Sequence, residues 1–124
     1  MLGTQGVLRR KIEPLEFLWD NRNRKIENLI INLILGRSPE IRKSAAQELA
    51  AKGIEAKDAT SALIRSLRGD CESSVREMSA YALGYVAEST GSQVIFALKE
   101  ALNDESPNVV EKVRNSLKLL GVEH

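Results

Sequence analysis

A period of 34 residues recurs along most of the chain, and it constrains the fold more than any other feature of the sequence. Two series of apolar residues keep this spacing: Ile41, Val75, Val109 and Leu49, Leu83, Leu117. Periods of about 20 to 50 residues are typical of proteins in which similar units stack and cover one another's apolar faces. The sequence therefore predicts a stack of three repeats.

Each repeat has the pattern of a helical hairpin. Apolar residues recur at i, i+3 and i+4 in two segments of every repeat, which is the stripe of an amphipathic helix. Short polar turns separate the two helices of each pair: Gly36-Arg37, Gly69-Asp70 and Asn103-Asp104. The start signals of the second helices are Ser38-Pro39, Ser106-Pro107 and either Ser73 or Ser74, and the stop signals are Gly53 and Gly121.

These patterns predict an all-α protein: a right-handed α-α superhelix of three helical hairpins with an N-terminal capping helix. Aromatic residues make up only 4% of the chain, which disfavours a β-sandwich or barrel, because strands draw on aromatic and β-branched side chains. The predicted N-terminal cap covers 1–23 and the repeat domain 24–124, with repeats near 24–54, 57–88 and 91–121.

The segment before the first repeat does not follow the period, and a helix is predicted to begin in it at Pro14. Its apolar residues are too many for a free tail: Val7, Leu8, Ile12, Leu15, Phe17, Leu18 and Trp19. We expect them to cover the open end of repeat one or to form the contact of a homodimer. The same segment carries the basic run Arg9-Arg10-Lys11, which keeps nucleic-acid association open as an alternative.

Composition argues against several classes of protein. The 18 basic and 17 acidic side chains leave a formal charge of +1, whereas tight binding of nucleic acid draws on clustered Lys and Arg. The longest apolar stretch, from Leu29 to Leu35, is far shorter than the roughly 20 residues of a membrane span. A single cysteine excludes an internal disulfide, which favours a reducing, cytoplasmic location.

No pattern of catalytic residues is present. A nucleophile needs a neighbouring base, and Cys71 has no internal histidine to pair with. The one histidine is His124, at the last position, where it is either native or the trace of a tag. Metal-ligand spacings and a Gly-rich phosphate loop are also missing. We therefore expect a protein that is not an enzyme and that has no cofactor and no metal site.

The second helix of the middle repeat carries a recognisable motif: Val75-Arg76, Ser79-Ala80 and Ala82-Leu83-Gly84, with Asp70 five residues ahead. This stretch resembles the HEAT-like repeat family, especially the short form named for phycobilisome lyases, and the resemblance covers residues 24 to 121. The resemblance implies a helical solenoid and says little about function. The function we expect is a non-enzymatic scaffold or adaptor that binds a partner protein on the inner face, formed by the second helices. An accessory subunit of a lyase-type enzyme complex remains an alternative function.

Two charged positions recur with an offset between repeats. Asp70 and Asp104 precede the second helices of repeats two and three, whereas Arg42 and Arg76 lie in the first turns of repeats one and two. This offset predicts a ladder in which Arg42 pairs with Asp70 and Arg76 with Asp104. Each link would contribute about 1 kcal/mol if it is partly exposed.

Tyr81 and Tyr85 stand where the family usually has charged or polar residues. Because they are four residues apart, they share one face of the helix, away from the apolar stripe. Stacking would align them with the equivalent residues of the neighbouring repeats, so the predicted partner-binding surface is Tyr81, Tyr85, Leu119, Ala51, Gln47, Asn115, Lys43 and Glu77. The alternative is that the two tyrosines only cover neighbouring helices.

Overall fold

The computed structural model describes residues 14–87 and 91–122, and this part of the chain is helical without a β-strand. Its helices are α1 (Pro14–Leu35), α2 (Pro39–Lys52), η1 (Gly53–Ala59), α3 (Thr60–Gly69), α4 (Ser73–Val86), α5 (Ser92–Glu100), η2 (Ala101–Asn103) and α6 (Pro107–Leu119), where η denotes a 3-10 helix. The first helices of the hairpins (α1, α3 and α5) are called the A helices, and the second (α2, α4 and α6) the B helices. The predicted all-α helical solenoid is confirmed.

The ends of α2 and α6 follow from residues read as signals in the sequence. The amide of Ile41 donates to Ser38 Oγ at 3.2 Å, and Pro39 occupies the first turn of α2. Gly53, at φ 60°, ends α2, and Gly121, at φ 79°, follows α6. Both glycines adopt the positive φ that other residues rarely reach. The predicted stop signals are confirmed.

The start of α4 differs from the prediction. Neither Ser73 nor Ser74 is the N-cap, because α4 begins at Ser73 and Glu72 precedes it without a capping side chain. Instead, Asp70 Oδ1 accepts a hydrogen bond from the Glu72 amide at 3.0 Å. Before α6, Asp104 Oδ1 accepts from the Ser106 amide at 2.9 Å in the same way, and the Ser106 hydroxyl makes no capping bond. In both turns a carboxylate thus accepts from the backbone amide two residues on, as in an Asx turn.

Helix α1 is continuous over 22 residues and begins at Pro14, as predicted. It crosses residue 23, where the sequence analysis divides the cap from the repeat domain, so the two segments share one helix. Residues 1–13 and the side chains of residues 14–20 lie outside the described part of the chain. The cap, the homodimer contact, the basic run and the domain division therefore stay predictions.

The B helices pack closely on one another, whereas the A helices make few mutual contacts. Small buried side chains allow this approach of the B helices: Ala45, Ala46, Ala50, Ser79, Ala80, Ala82 and Ser116. Larger buried side chains complete the core: Leu33, Leu49, Leu63, Leu67, Leu83, Leu98 and Leu117. Because one layer is more closely spaced than the other, the stack curves toward the B helices, which form its inner side.

Two B helices, α4 and α6, approach each other closely at Gly84. A Cβ atom on Gly84 would lie 2.7 Å from Ser116 Oγ and 3.1 Å from Ser116 Cβ. Ser116 is buried, and its hydroxyl donates to the Ala80 carbonyl of the facing helix. Only a glycine leaves room for α6 at this position of α4.

The last repeat differs on the side that faces away from repeat two. The 34-residue register aligns Ala46 and Ala80 with Arg114, and Ala50 and Gly84 with Lys118. Repeats one and two therefore have small residues where repeat three has long charged ones. Both charged side chains are exposed, and neither forms an ion pair in the described part of the chain.

Candidate interaction surface on the B helices

Two tyrosines lie next to each other on the outward face of α4. Tyr81 and Tyr85 are 37% and 44% exposed, and their ring centroids are 5.0 Å apart with planes inclined by 50°. Offset or tilted pairs at this distance are favourable for aromatic rings. The two rings therefore form one pre-arranged cluster that remains accessible to solvent.

Leu119 of α6 extends the tyrosine cluster across the junction between α4 and α6. It is 55% exposed, and its Cδ1 lies 3.2 Å from where a Cβ of Gly84 would stand. Leu119 therefore packs over the backbone of α4 beside Tyr85. Tyr81, Tyr85 and Leu119 are called the tyrosine patch from here on.

Two further residues border the tyrosine patch, and the sequence analysis did not include them. Lys112 Nζ lies 5.8 Å from the centroid of the Tyr81 ring, within cation–π distance. Ile54 is an exposed large apolar residue, and it follows Gly53, whose neighbour across the junction is the Tyr85 carbonyl. The 34-residue register did not indicate that Lys112 belongs to this surface, because the equivalent residues of repeats one and two, Ser44 and Met78, are not basic.

The other predicted surface residues are distributed over all three B helices. Lys43, Gln47 and Ala51 are exposed on α2, Asn115 is exposed on α6, and Glu77 is half-buried on α4. They surround the tyrosine patch with both signs of charge and with amides. Whether they contact a partner stays a prediction.

The two arginine–aspartate pairs connect successive repeats and hold the B helices in register. Arg42 Nε and Nη2 donate to the two carboxylate oxygens of Asp70 at 2.8 and 3.2 Å, and Nη1 donates to the Gly36 carbonyl at 3.0 Å. Arg76 binds Asp104 at 2.8 and 3.1 Å and the Asp70 carbonyl at 2.8 Å. Each arginine thus bridges the turn of its own repeat and the aspartate of the next.

These pairs are largely buried, so removing one partner costs more than it does in an exposed ion pair. The four side chains are between 7% and 14% exposed. Burial by itself would raise the pKa of Asp104, but hydrogen bonds from Arg76 and from the Ser106 amide, together with the Arg76 charge, lower it below its ordinary value. The hydrogen bond to Asp104 in turn raises the pKa of Arg76. Arg76 and Asp104 therefore both stay charged at neutral pH.

Other kinds of site have less support in residues 14–87 and 91–122. No three His, Cys, Asp or Glu side chains in these ranges are placed to hold a metal ion. No helix in these ranges has the length and apolar character needed to cross a membrane. Cys71 is exposed.

The fold and the ladder define a class: a helical-repeat solenoid whose units are joined by buried ion pairs. The sequence matches HEAT repeats over residues 26–118, and the chain belongs to the HEAT repeat family. The match does not distinguish the short lyase-type form, so that subtype stays a prediction. Comparison with curated proteins and with solved structures gave no significant match. HEAT repeats generally mediate protein–protein interaction, and they are typically scaffolds without catalytic activity.

Proposed function

We propose that this protein is a non-enzymatic adaptor that binds a partner protein through the tyrosine patch on the inner side of the solenoid. The observation that carries the proposal is the solvent-exposed pair Tyr81–Tyr85 beside Leu119. Exposed aromatic side chains that are already held in place lose little conformational freedom on binding, and tyrosine is enriched among the residues that dominate binding energy.

The surroundings of the patch favour a specific contact rather than a merely apolar one. Lys43, Gln47 and Asn115 are exposed nearby on the flanking helices. Polar groups at the rim of an apolar centre are the usual arrangement of a protein interface. A partner segment lying across the three B helices would cover the tyrosine rings and bring its own polar groups to this rim.

The proposal predicts that Tyr81→Ala with Tyr85→Ala weakens capture of the partner at least about tenfold, since an aromatic anchor contributes roughly 2 kcal/mol or more. Because more than a third of each ring is exposed, the double variant should unfold only a few degrees below the unmodified protein. The measurement is quantitative mass spectrometry of proteins captured from a lysate of the source organism, alongside a thermal melt.

Ile31→Ala with Leu35→Ala is the matched control. These residues are also four apart, large, apolar and exposed, but they lie on an A helix. The control should capture the same proteins as the unmodified bait. Equal capture by the tyrosine variant, or a collapse of its melting temperature, would contradict the proposal.

A further inference from the structure

A second surface lies on the opposite, outer side of the solenoid. An open groove of about 830 Å³ runs between α3 and α5, where the A helices separate. Five residues carry the argument about its chemistry: Ile64, Arg65, Arg68, Gly69 and Phe96. None of them belongs to the tyrosine patch or to the ladder.

The wall of the groove contains an aromatic side chain that the repeat does not require. Phe96 is 61% exposed, and the 34-residue register aligns it with Ala62 and Asn28. Leaving so large an apolar surface in water is unfavourable in the free protein. Together with Ile64 at the base, Phe96 provides an apolar contact for one side chain of a ligand.

The charges beside Phe96 favour an anionic neighbour for that side chain. Arg68 is engaged within the protein: its Nε donates to Glu100 Oε1 at 3.0 Å, and its Cζ lies 5.9 Å from the Phe96 centroid. Arg65 is exposed and has no carboxylate partner in the described part of the chain. The groove therefore carries one guanidinium that a carboxylate could bind with two hydrogen bonds.

The adjoining groove between α1 and α3 is different. Its volume is about 360 Å³, and its polar walls include Arg42 and Asp70, which already bind each other. The larger groove is also open at Gly69, where an added Cβ atom would meet nothing within 4 Å. Leu35 occupies the equivalent position of repeat one. Arg65 and Gly69 lie between the two grooves and line both, but only the α3–α5 groove combines the larger volume with the exposed aromatic wall of Phe96.

We propose that the α3–α5 groove binds a peptide segment of a partner protein that presents an apolar side chain next to a carboxylate. The apolar side chain packs between Phe96 and Ile64, and the carboxylate pairs with Arg65. This site is separate from the tyrosine patch, so the protein has two faces with which it can connect two polypeptides. Loss of binding at one of the two sites would not impair binding at the other.

Capped dipeptides can test the ligand chemistry directly by chemical-shift mapping of the ¹⁵N-labelled full chain. N-acetyl-Phe-Glu-amide should shift the amide resonances of residues that line the groove, with binding in the millimolar range. N-acetyl-Phe-Lys-amide reverses the charge and N-acetyl-Ala-Glu-amide removes the apolar group, and each should bind at least about threefold more weakly. No groove shifts at roughly 10 mM peptide, or equal affinity for all three, would overturn the proposal.

Two variants place the binding at the groove. Arg65→Gln should weaken the binding of N-acetyl-Phe-Glu-amide by about threefold without weakening that of N-acetyl-Phe-Lys-amide. Gly69→Leu fills the open end of the groove with a side chain that the register tolerates at Leu35, and it should weaken every dipeptide by about fivefold or more. Unchanged affinity in both variants, with their melting temperatures intact, would show that the groove is not the site.

Discussion

Gly84→Leu is expected to lower the free energy of unfolding by about 3 kcal/mol, near the upper end for overpacked sites. The new Cβ would stand 2.7 Å from Ser116 Oγ and 3.2 Å from Leu119 Cδ1. Ser116 is buried and hydrogen-bonded to the Ala80 carbonyl, so it cannot turn away without losing that bond. Helices α4 and α6 would have to separate, and chemical denaturation would measure the loss.

The chain supplies both a control and a rescue for this result. Gly69→Leu makes the same change where no atom lies within 4 Å of the added Cβ, so it should not destabilise the protein. Gly84→Ala with Ser116→Ala recreates the pair Ala50 and Ala82, which the 34-residue register places at the junction between α2 and α4. This double variant should be more stable than Gly84→Ala alone. If Gly84→Leu were as stable as Gly69→Leu, the close approach of α4 and α6 would not limit packing.

Arg76→Ala is expected to lower the free energy of unfolding by about 2 kcal/mol, more than the 1 kcal/mol of an exposed pair. The reason is burial: the Asp104 side chain is only 11% exposed in the intact protein, and removing the guanidinium takes away both of its charged hydrogen-bond donors. It also leaves the Asp70 carbonyl without its arginine partner. A double-mutant cycle with Asp104→Ala should give a coupling energy of about 1 kcal/mol or more. Zero coupling energy would show that Arg76 and Asp104 do not stabilise the fold through their contact.

The same pair makes stability depend on pH. The pKa of Asp104 is lower in the folded state than in the unfolded state, so its stabilising effect is complete above the ordinary carboxyl value of about 4 and declines as pH falls through the folded pKa. Asp104→Asn should therefore be clearly less stable than the unmodified protein at pH 7, and the difference should shrink below about pH 4. A difference independent of pH would contradict the assignment.

The sequence predicts the parts of this fold that follow from periodicity. The series Leu49, Leu83 and Leu117 locates all three B helices, because a stacked repeat needs the same apolar contact at the same register, and all three side chains are fully buried. In the parallel series Val75 and Val109 are buried, whereas Ile41 is 44% exposed. The offset between Arg42 and Asp70 likewise indicates a contact between neighbouring repeats, and the structure contains it. Both features recur at a fixed spacing along the chain, so the sequence alone is enough to predict them.

Features that depend on the distance between helices are less visible in the sequence. Gly84 falls in the middle of a helix, where glycine is normally a cost, and only the position of Ser116 explains it. The second role of Asp70, as acceptor for the Glu72 amide, was not predicted, and the helix begins at Ser73 itself rather than after a serine cap. The α3–α5 groove exists because the A helices diverge, and the sequence pattern does not reveal this divergence. In the sequence, Phe96 therefore looks like any other apolar residue of a helix.

Arg114 and Lys118 place two exposed cations on the face of repeat three that points away from repeat two. In repeats one and two the corresponding alanine and glycine residues allow the next unit to pack against them. A second molecule stacking on repeat three would have to strip water from two unpaired cations, at a cost of several kcal/mol. Molecules made of stacked repeats can associate head to tail into filaments, because a repeat surface can pack against a repeat of another copy. Arg114 and Lys118 therefore oppose this association.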